Sequence, residues 1–221
     1  MRAVVAIALG IALAGAVALG ARQIGDPDAA GFAPPVRAVP ASLVPLDSAE
    51  GRQLLFESEA HESFLPLAAH FLTQETQTYC GVASIVMVLN ALMVPAPAVP
   101  AYAPHRLFTQ DNLFSDRTDG IASAGRVARQ GMSLRQVAQI LRAHGAEAEA
   151  HLASESSLAA FRALASESLR RQDGHVIVNY SRPVLGQSAV GHISPLGAYD
   201  ADSDRFLVLD VARYKYPPVW V

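Results

Sequence analysis

Residues 80–93 read Cys-Gly-Val-Ala-Ser-Ile-Val-Met-Val-Leu-Asn-Ala-Leu-Met, an apolar run broken only by Ser84 and Asn90. A helix that is apolar all round has no face to give to water, so it must be covered on every side. This segment therefore predicts a buried central helix with other elements packed around it. Pro95 ends it, and Pro97 and Pro100 continue as a stiff connector. The helix begins with Cys80, the only cysteine in 221 residues, which leaves the thiol without a disulfide partner in the chain. At a helix N-terminus, unpaired backbone N–H groups and the helix dipole favour a thiolate and lower the thiol pKa. A free cysteine is otherwise a small buried hydrophobe, so its neighbourhood has to decide between the two readings.

Downstream, Ser133 to Gly145 is an amphipathic helix. Ser133 is its N-cap, Leu134, Val137, Ile140 and Leu141 form one face, and Gly145 closes it. Residues 156–171 form a second such helix. The period then changes: 176–180, 193–199 and 206–209 read as strands, with Asp200-Ala-Asp-Ser-Asp204 as a turn cluster. Helices followed by an antiparallel sheet is an α+β order. Because the turn is centred near residue 202, opposed residues should have numbers that sum to about 404. His192 and Asp210 sum to 402, so both side chains fall on one face, at most one diagonal step apart. An aspartate there can accept the ring N–H, orient the imidazole and stabilise its charged form. A hairpin salt bridge or a satisfied core histidine is the alternative.

The chain is 51% hydrophobic and 17% charged, more apolar than an ordinary soluble protein, and the excess lies mostly in its first twenty residues. Met1-Arg2 is followed by an uncharged run from Ala3 to Ala21, with Ala16-Val17-Ala18 suited to cleavage: the layout of a secretory signal. An uncleaved anchor is the competing reading, and it is the only membrane contact expected. Both readings put the domain outside the cytoplasm, exported to the periplasm or anchored facing it. Residues 22–48 carry Pro27, Pro34, Pro35, Pro40 and Pro45, an extended lead-in to a domain expected over 49–221. A net charge of −3, with no basic block, argues against a nucleic-acid partner. No C-x-x-C or paired-histidine spacing supports an integral metal centre.

Gln74 stands six residues before Cys80. A side-chain amide there can donate to a developing oxyanion beside the Cys80 backbone N–H, a role worth on the order of 3 kcal/mol of transition-state stabilisation. Gln74-x5-Cys80-Gly-Val-Ala-Ser resembles the papain-like cysteine peptidase clan. The details are similar to the phytochelatin synthase family in its short bacterial form. They include Phe108-Thr-Gln-Asp-Asn-Leu-Phe114, Arg129-Gln-Gly-Met-Ser-Leu134, Gly191-His-Ile-Ser-Pro-Leu196 and, longest, Asp210-Val-Ala-Arg-Tyr-Lys-Tyr-Pro-Pro-Val-Trp220.

The resemblance implies a papain-like α+β fold, with a helical N-terminal half whose Cys-bearing helix packs on an antiparallel sheet. It implies Cys80 as nucleophile, His192 as general base and acid, Asp210 as its orienting carboxylate and Gln74 as oxyanion donor. Gly191 matches a position lining the substrate cleft. Arg213 and Tyr216 match the patterned stretch after the aspartate, where an arginine would suit an anionic peptide such as glutathione. The implied reaction is cleavage of the Cys–Gly bond of glutathione through a γ-Glu-Cys acyl-enzyme. That acyl group passes to water or to a second glutathione, and with a single cysteine hydrolysis is expected to dominate. No integral cofactor is implied; heavy-metal ions such as Cd²⁺ would enter as the metal–glutathione complex. A homodimer is left open.

Two departures stand out. One glycine precedes the histidine where the family usually has two, and the chain ends at Val221, where the family continues. The alternatives are a double-glycine-type peptidase of the same clan and an inactive thiol-binding relative.

Overall fold

The computed structural model describes residues 3–9, 37–188 and 191–221. In chain order the main elements are β1 (Ala3–Leu9), β2 (Val44–Pro45), α1 (Ala49–Glu57), α2 (Phe64–Ala68), α3 (Cys80–Ala91), α4 (Ala124–Gln130), α5 (Leu134–Ala143), β3 (Glu147–Leu152), α6 (Leu158–Leu169), β4 (His175–Ser181), β5 (Gly191–Asp200), β6 (Arg205–Val208) and β7 (Val219–Trp220). One sheet holds all the strands in the order β2-β7-β6-β5-β4-β1-β3. The five strands from β2 to β4 are antiparallel, while β1 pairs parallel with both β4 and β3. The leader reading covers residues 1–21, and beyond Ala3–Leu9 it lies outside the described residues. No helix among the described residues is long and apolar enough to cross a membrane.

The expected helices are present. α3 buries every residue from Gly81 to Asn90. α5 carries a full capping box, with Ser133 and Gln136 bonded reciprocally, and Gly145 takes the positive φ its end requires. α6 is capped by Ser157. Alternate residues of the sheet feed two cores. Ile177, Ile193, Leu207 and Trp220 pack with α3 and α5 on one face. Val176, Val178, Leu196 and Val208 pack with the α6 residues Ala165 and Leu169 on the other. Three layers result, and they cover the apolar helix as its composition demands.

Residues just before 49 pack against the end of the chain. β2 pairs with β7, and the Arg37 N–H donates to Lys215 O at 2.9 Å. Of the lead-in expected over 22–48, residues 22–36 lie outside the described residues; Pro45 near its end sits in an edge strand, the place where a proline costs no ladder bond. Behind it, α1 lies so close that a Cβ on Gly51 would sit 2.0 Å from the Pro45 oxygen. Trp220 closes that corner fully buried, donating to Gly51 O at 3.0 Å. Its burial contributes roughly 4–6 kcal/mol by apolar area.

The β5–β6 hairpin contains the feature on which the site turns. Near the turn, Asp200 opposes Arg205 and Ala198 opposes Leu207, pairs that sum to 405; beyond a bulge, Leu196 opposes Val208, which sums to 404. The extra residue is Gly197, whose Cβ would meet Phe64 at 3.1 Å and Leu207 and Leu209 at 3.3 Å. A bulge changes which face every later residue takes.

Candidate active site

The segment before α3 is held from two sides. The Gln74 N–H donates to Val211 O at 2.9 Å, and Gln110 accepts from Glu75 N while donating to Thr73 O. This clamp brings the chain after Asp210 onto the chain before Cys80. Cys80 then opens the helix behind Tyr79, which provides no side-chain cap for the first-turn N–H groups. The thiol is part-buried, and the nearby backbone N–H groups of Ile193, Gly81 and Cys80 itself act on it in the direction that favours the thiolate. Ser84, one turn on, donates to Cys80 O and to Ile193 O, fixing α3 against β5.

Ile193 follows His192, and the imidazole is 5% exposed. Its Nε2 and Asp210 Oδ1 are 2.8 Å apart. The Tyr180 ring, directly opposite on β4, stands edge-on to the imidazole at 5.7 Å. Asp210 is fully buried and Oδ1 takes two further donors, Ala212 N and Arg182 Nη2, each at 2.8 Å. Arg182 Nη2 also lies 2.7 Å from Oδ2. Arg182 itself is 2% exposed, donates to Gln187 Oε1 at 2.7 Å and covers the Tyr216 ring at 5.1 Å.

These surroundings set the protonation states. Burial alone would raise the Asp210 carboxyl; the His192 hydrogen bond and charge and the Arg182 guanidinium overcome it and hold it below the usual carboxylate value. Burial pushes the His192 imidazole down, and Asp210 offsets this only in part. The resting pair is therefore a neutral imidazole beside an ionised carboxylate. For Cys80 the expectation of a lowered thiol fails. Burial raises it, outweighing the backbone N–H groups and the Arg182 charge that pull it down. The helix-terminus effect is present and smaller than desolvation.

Gln74 is 3% exposed, and its Nε2 donates to Thr76 O at 2.7 Å and to Tyr214 Oη at 3.1 Å. Both amide hydrogens are thus engaged, and Oε1 is buried without a partner. Gly191 is exposed at the start of β5, opposite Ser181; its neighbours Ala189 and Val190 lie outside the described residues. Arg213 is exposed, with its guanidinium over the Phe71 ring at 4.9 Å. Tyr216 is buried under Arg182, its hydroxyl accepting from Ser188 N at 2.9 Å. It supports the Asp210 network from beneath and has no open face. Among the described residues no group of three or more His, Cys, Asp or Glu side chains could hold a metal ion.

Arg182, Gln110 and Tyr214 escaped the sequence reading. Arg182 had one signal: a cation closing the apolar strand Val176–Tyr180 just before Pro183. Gln110 and Tyr214 stood inside stretches singled out above, with nothing local to mark them.

A family model described as phytochelatin synthase matches residues 35–221. Glutathione gamma-glutamylcysteinyltransferase 1 of Lotus japonicus is 38% identical over 177 residues, covering 79% of this chain and 34% of the relative. The Arabidopsis thaliana protein of the same name is 36% identical over 181 residues, 80% of this chain and 36% of its own. The Schizosaccharomyces pombe glutathione gamma-glutamylcysteinyltransferase is 26% identical over 190 residues, 84% of this chain and 44% of its own. The chain thus spans about a third of the length of the plant relatives it matches.

Proposed function

Because this chain belongs to the phytochelatin synthase family, we propose that it cleaves the Cys–Gly bond of glutathione through a γ-Glu-Cys thioester on Cys80. The observation that carries the proposal is the buried carboxylate of Asp210, which meets His192 Nε2 at 2.8 Å, with Ser84 on the Cys-bearing helix donating to the carbonyl of the next residue, Ile193. That contact leaves Nδ1 as the ring nitrogen free to take the Cys80 proton. A raised thiol and a neutral imidazole fit a nucleophile that is deprotonated as it attacks, rather than a stored ion pair.

In the proposed sequence the Cys80 sulfur bonds to the cysteinyl carbonyl carbon while the thiol proton passes to His192. The tetrahedral intermediate collapses, the C–N bond breaks, and His192 returns the proton to the glycine amine. Water, or the amine of a second glutathione, then attacks the thioester with His192 again as base, giving γ-Glu-Cys or a phytochelatin. The Gly81 and Cys80 backbone N–H groups supply the oxyanion with donors. Arg213, exposed three residues after Asp210, suits a substrate carboxylate. A heavy-metal ion such as Cd²⁺ enters as part of the thiolate substrate.

Mass spectrometry of the protein with glutathione, with and without Cd²⁺, tests this. The expected result is free glycine together with a γ-Glu-Cys adduct on Cys80 that Cys80→Ser abolishes. Wild-type protein that forms neither would refute it. We further propose export, from the run Ala3 to Ala21; cleavage after Ala18 would take β1 out of the sheet and leave a mature domain built on β2 to β7, N-terminal sequencing of the periplasmic fraction should find a start after Ala18, and an intact Met1 in the cytosol would contradict it.

A further inference from the structure

Arg106, Phe108, Ser115, Arg117 and His144 line one cleft of about 400 Å³ beside the connector 95–97. Asn90, in the last turn of α3, pins Phe108 there, donating to its carbonyl at 2.9 Å and accepting from its N–H at 2.8 Å. Cys80 opens the same helix, roughly 15 Å of helical rise away, so this cleft is separate from the catalytic groups.

Its two cations stand on fixed backbone. Arg106 is bridged to Ala98, and its Nη1 reaches Ala96 O at 3.4 Å. Arg117 belongs to a turn closed by buried Thr118, whose hydroxyl accepts from Ser115 N at 2.9 Å and whose N–H donates to Ser115 O at 2.8 Å. Among the described residues the ion-paired arginines are Arg135, Arg162, Arg171 and Arg182, and neither cleft arginine has a carboxylate partner. α5 ends at His144, and α3 ends just before the connector. A helix C-terminus carries about half a negative charge, so the two ends together offset only about one of the two positive charges.

His144 adds the selective element. It is 6% exposed, its ring packs edge-on to Phe108 at 4.9 Å, and its Nε2 lies 2.9 Å from Leu113 O. A carbonyl only accepts, so Nε2 carries the hydrogen and Nδ1 of the neutral ring presents a lone pair. Burial keeps the ring neutral: it lowers the pKa by more than the Leu113 bond raises it, and the Arg117 charge adds to the fall. Nδ1 has no hydrogen-bond partner among the described residues, and unlike His175 Nε2 it is not sealed from solvent. The cleft therefore combines two guanidinium forks and a hydroxyl with one acceptor. Sulfate, which only accepts, would set an oxygen lone pair against Nδ1. Hydrogen phosphate brings an O–H that can donate to it.

We propose that this cleft binds a small tetrahedral oxyanion that keeps one hydroxyl, with hydrogen phosphate as the simplest case. Arg106, Arg117 and the Ser115 hydroxyl hold its bare oxygens, and its own O–H donates to His144 Nδ1. Binding is non-covalent and no proton is transferred. A phosphate ester on a larger molecule has lost that hydroxyl by pH 8, so the site selects the free ion.

Titration calorimetry at pH 8 and constant ionic strength, with inorganic phosphate, sulfate and phenyl phosphate as probes, tests this. Wild type should bind one phosphate saturably, and sulfate and phenyl phosphate at least about tenfold more weakly. Arg106→Gln and Arg117→Gln change exposed side chains, and each should weaken phosphate by about 10- to 100-fold. Cys80→Ser should bind phosphate as wild type does. Absence of saturable phosphate binding at millimolar concentration overturns the inference, as does unchanged affinity in both arginine variants or lost affinity in Cys80→Ser. Equal binding of sulfate or of the ester overturns it as well. A lower Tm for Arg117→Gln with no phosphate bound by wild type would show that the arginine serves the α5 end alone.

Discussion

Replacing Arg182 with methionine should reveal how much of the site is held by one buried cation. The guanidinium is 2% exposed and its partner Asp210 is fully buried. Removing one member of such a pair typically costs 3–5 kcal/mol, because the remaining charge stays desolvated and unpaired. Asp210 keeps His192 Nε2 and Ala212 N after the substitution, which places the expected loss near the lower end, about 3 kcal/mol. For a domain of this size that corresponds to a Tm lower by roughly 6–12 °C.

The pH dependence gives the sharper test. In the wild type Asp210 is held below the ordinary carboxylate value, so its contribution is present above that value and fades as pH falls through the folded one. Without Arg182, burial is opposed by fewer donors and the carboxyl moves up. The difference between the two proteins should therefore be largest near neutral pH and should shrink as Asp210 protonates in both. Urea unfolding of wild type, Arg182→Met, Asp210→Asn and the double variant, at pH 7 and pH 4.5, measures it. A coupling of about 2 kcal/mol or more at pH 7 is expected. A coupling under about 0.5 kcal/mol, or a loss that does not change with pH, would show that Arg182 acts through packing on Tyr216 and not through its charge.

Three further outcomes follow from the same geometry. Because burial raises the Cys80 thiol, its alkylation at pH 7 should be slower than that of free cysteine and should accelerate above the ordinary thiol value; mass spectrometry of the single cysteine reads this directly, and fast labelling near pH 6 would contradict it. His175, fully buried with Nε2 unpartnered, is pushed down to about 4, so the unfolded chain takes up a proton that the fold refuses. Stability should fall by about 3 kcal/mol between pH 6.5 and 4, and His175→Phe should flatten that slope in pH-dependent unfolding. Gly197→Val should cost about 1–3 kcal/mol in thermal melts from overpacking against Phe64, Leu207 and Leu209, with Phe64→Leu recovering part of it.

Much of this fold was legible because single segments carried it. The run after Cys80 had to be buried whatever surrounded it, and Ser133 marked a helix start that needed no tertiary help. Val44–Pro45 and Val219–Trp220 were invisible for the opposite reason. Two-residue strands have no period to read, and they exist only because each supplies the other's ladder and Trp220 needs a lid. Arg182 and Tyr214 belong to the same class, since an arginine is ordinary until the carboxylate it covers is known to be buried. The Cys80 thiol failed differently: its helix-terminus argument is sound, but the size of the opposing desolvation depends on burial, which local sequence does not give.

The His192–Asp210 pairing is the most instructive case, since the sequence reading reached the right face by counting a regular hairpin. The hairpin is not regular. With the register that the turn itself sets, 405, His192 would stand opposite position 213 and Asp210 opposite Pro195. A sum of odd parity puts the two side chains on opposite faces of the sheet, where no hydrogen bond could join them. The bulge at Gly197 removes one residue from the count and restores the even sum on the far side. A residue spared from pairing still has to put its side chain somewhere, and here Phe64, Leu207 and Leu209 leave no room for one. Glycine answers both demands, so the contact between imidazole and carboxylate depends on a residue that touches neither.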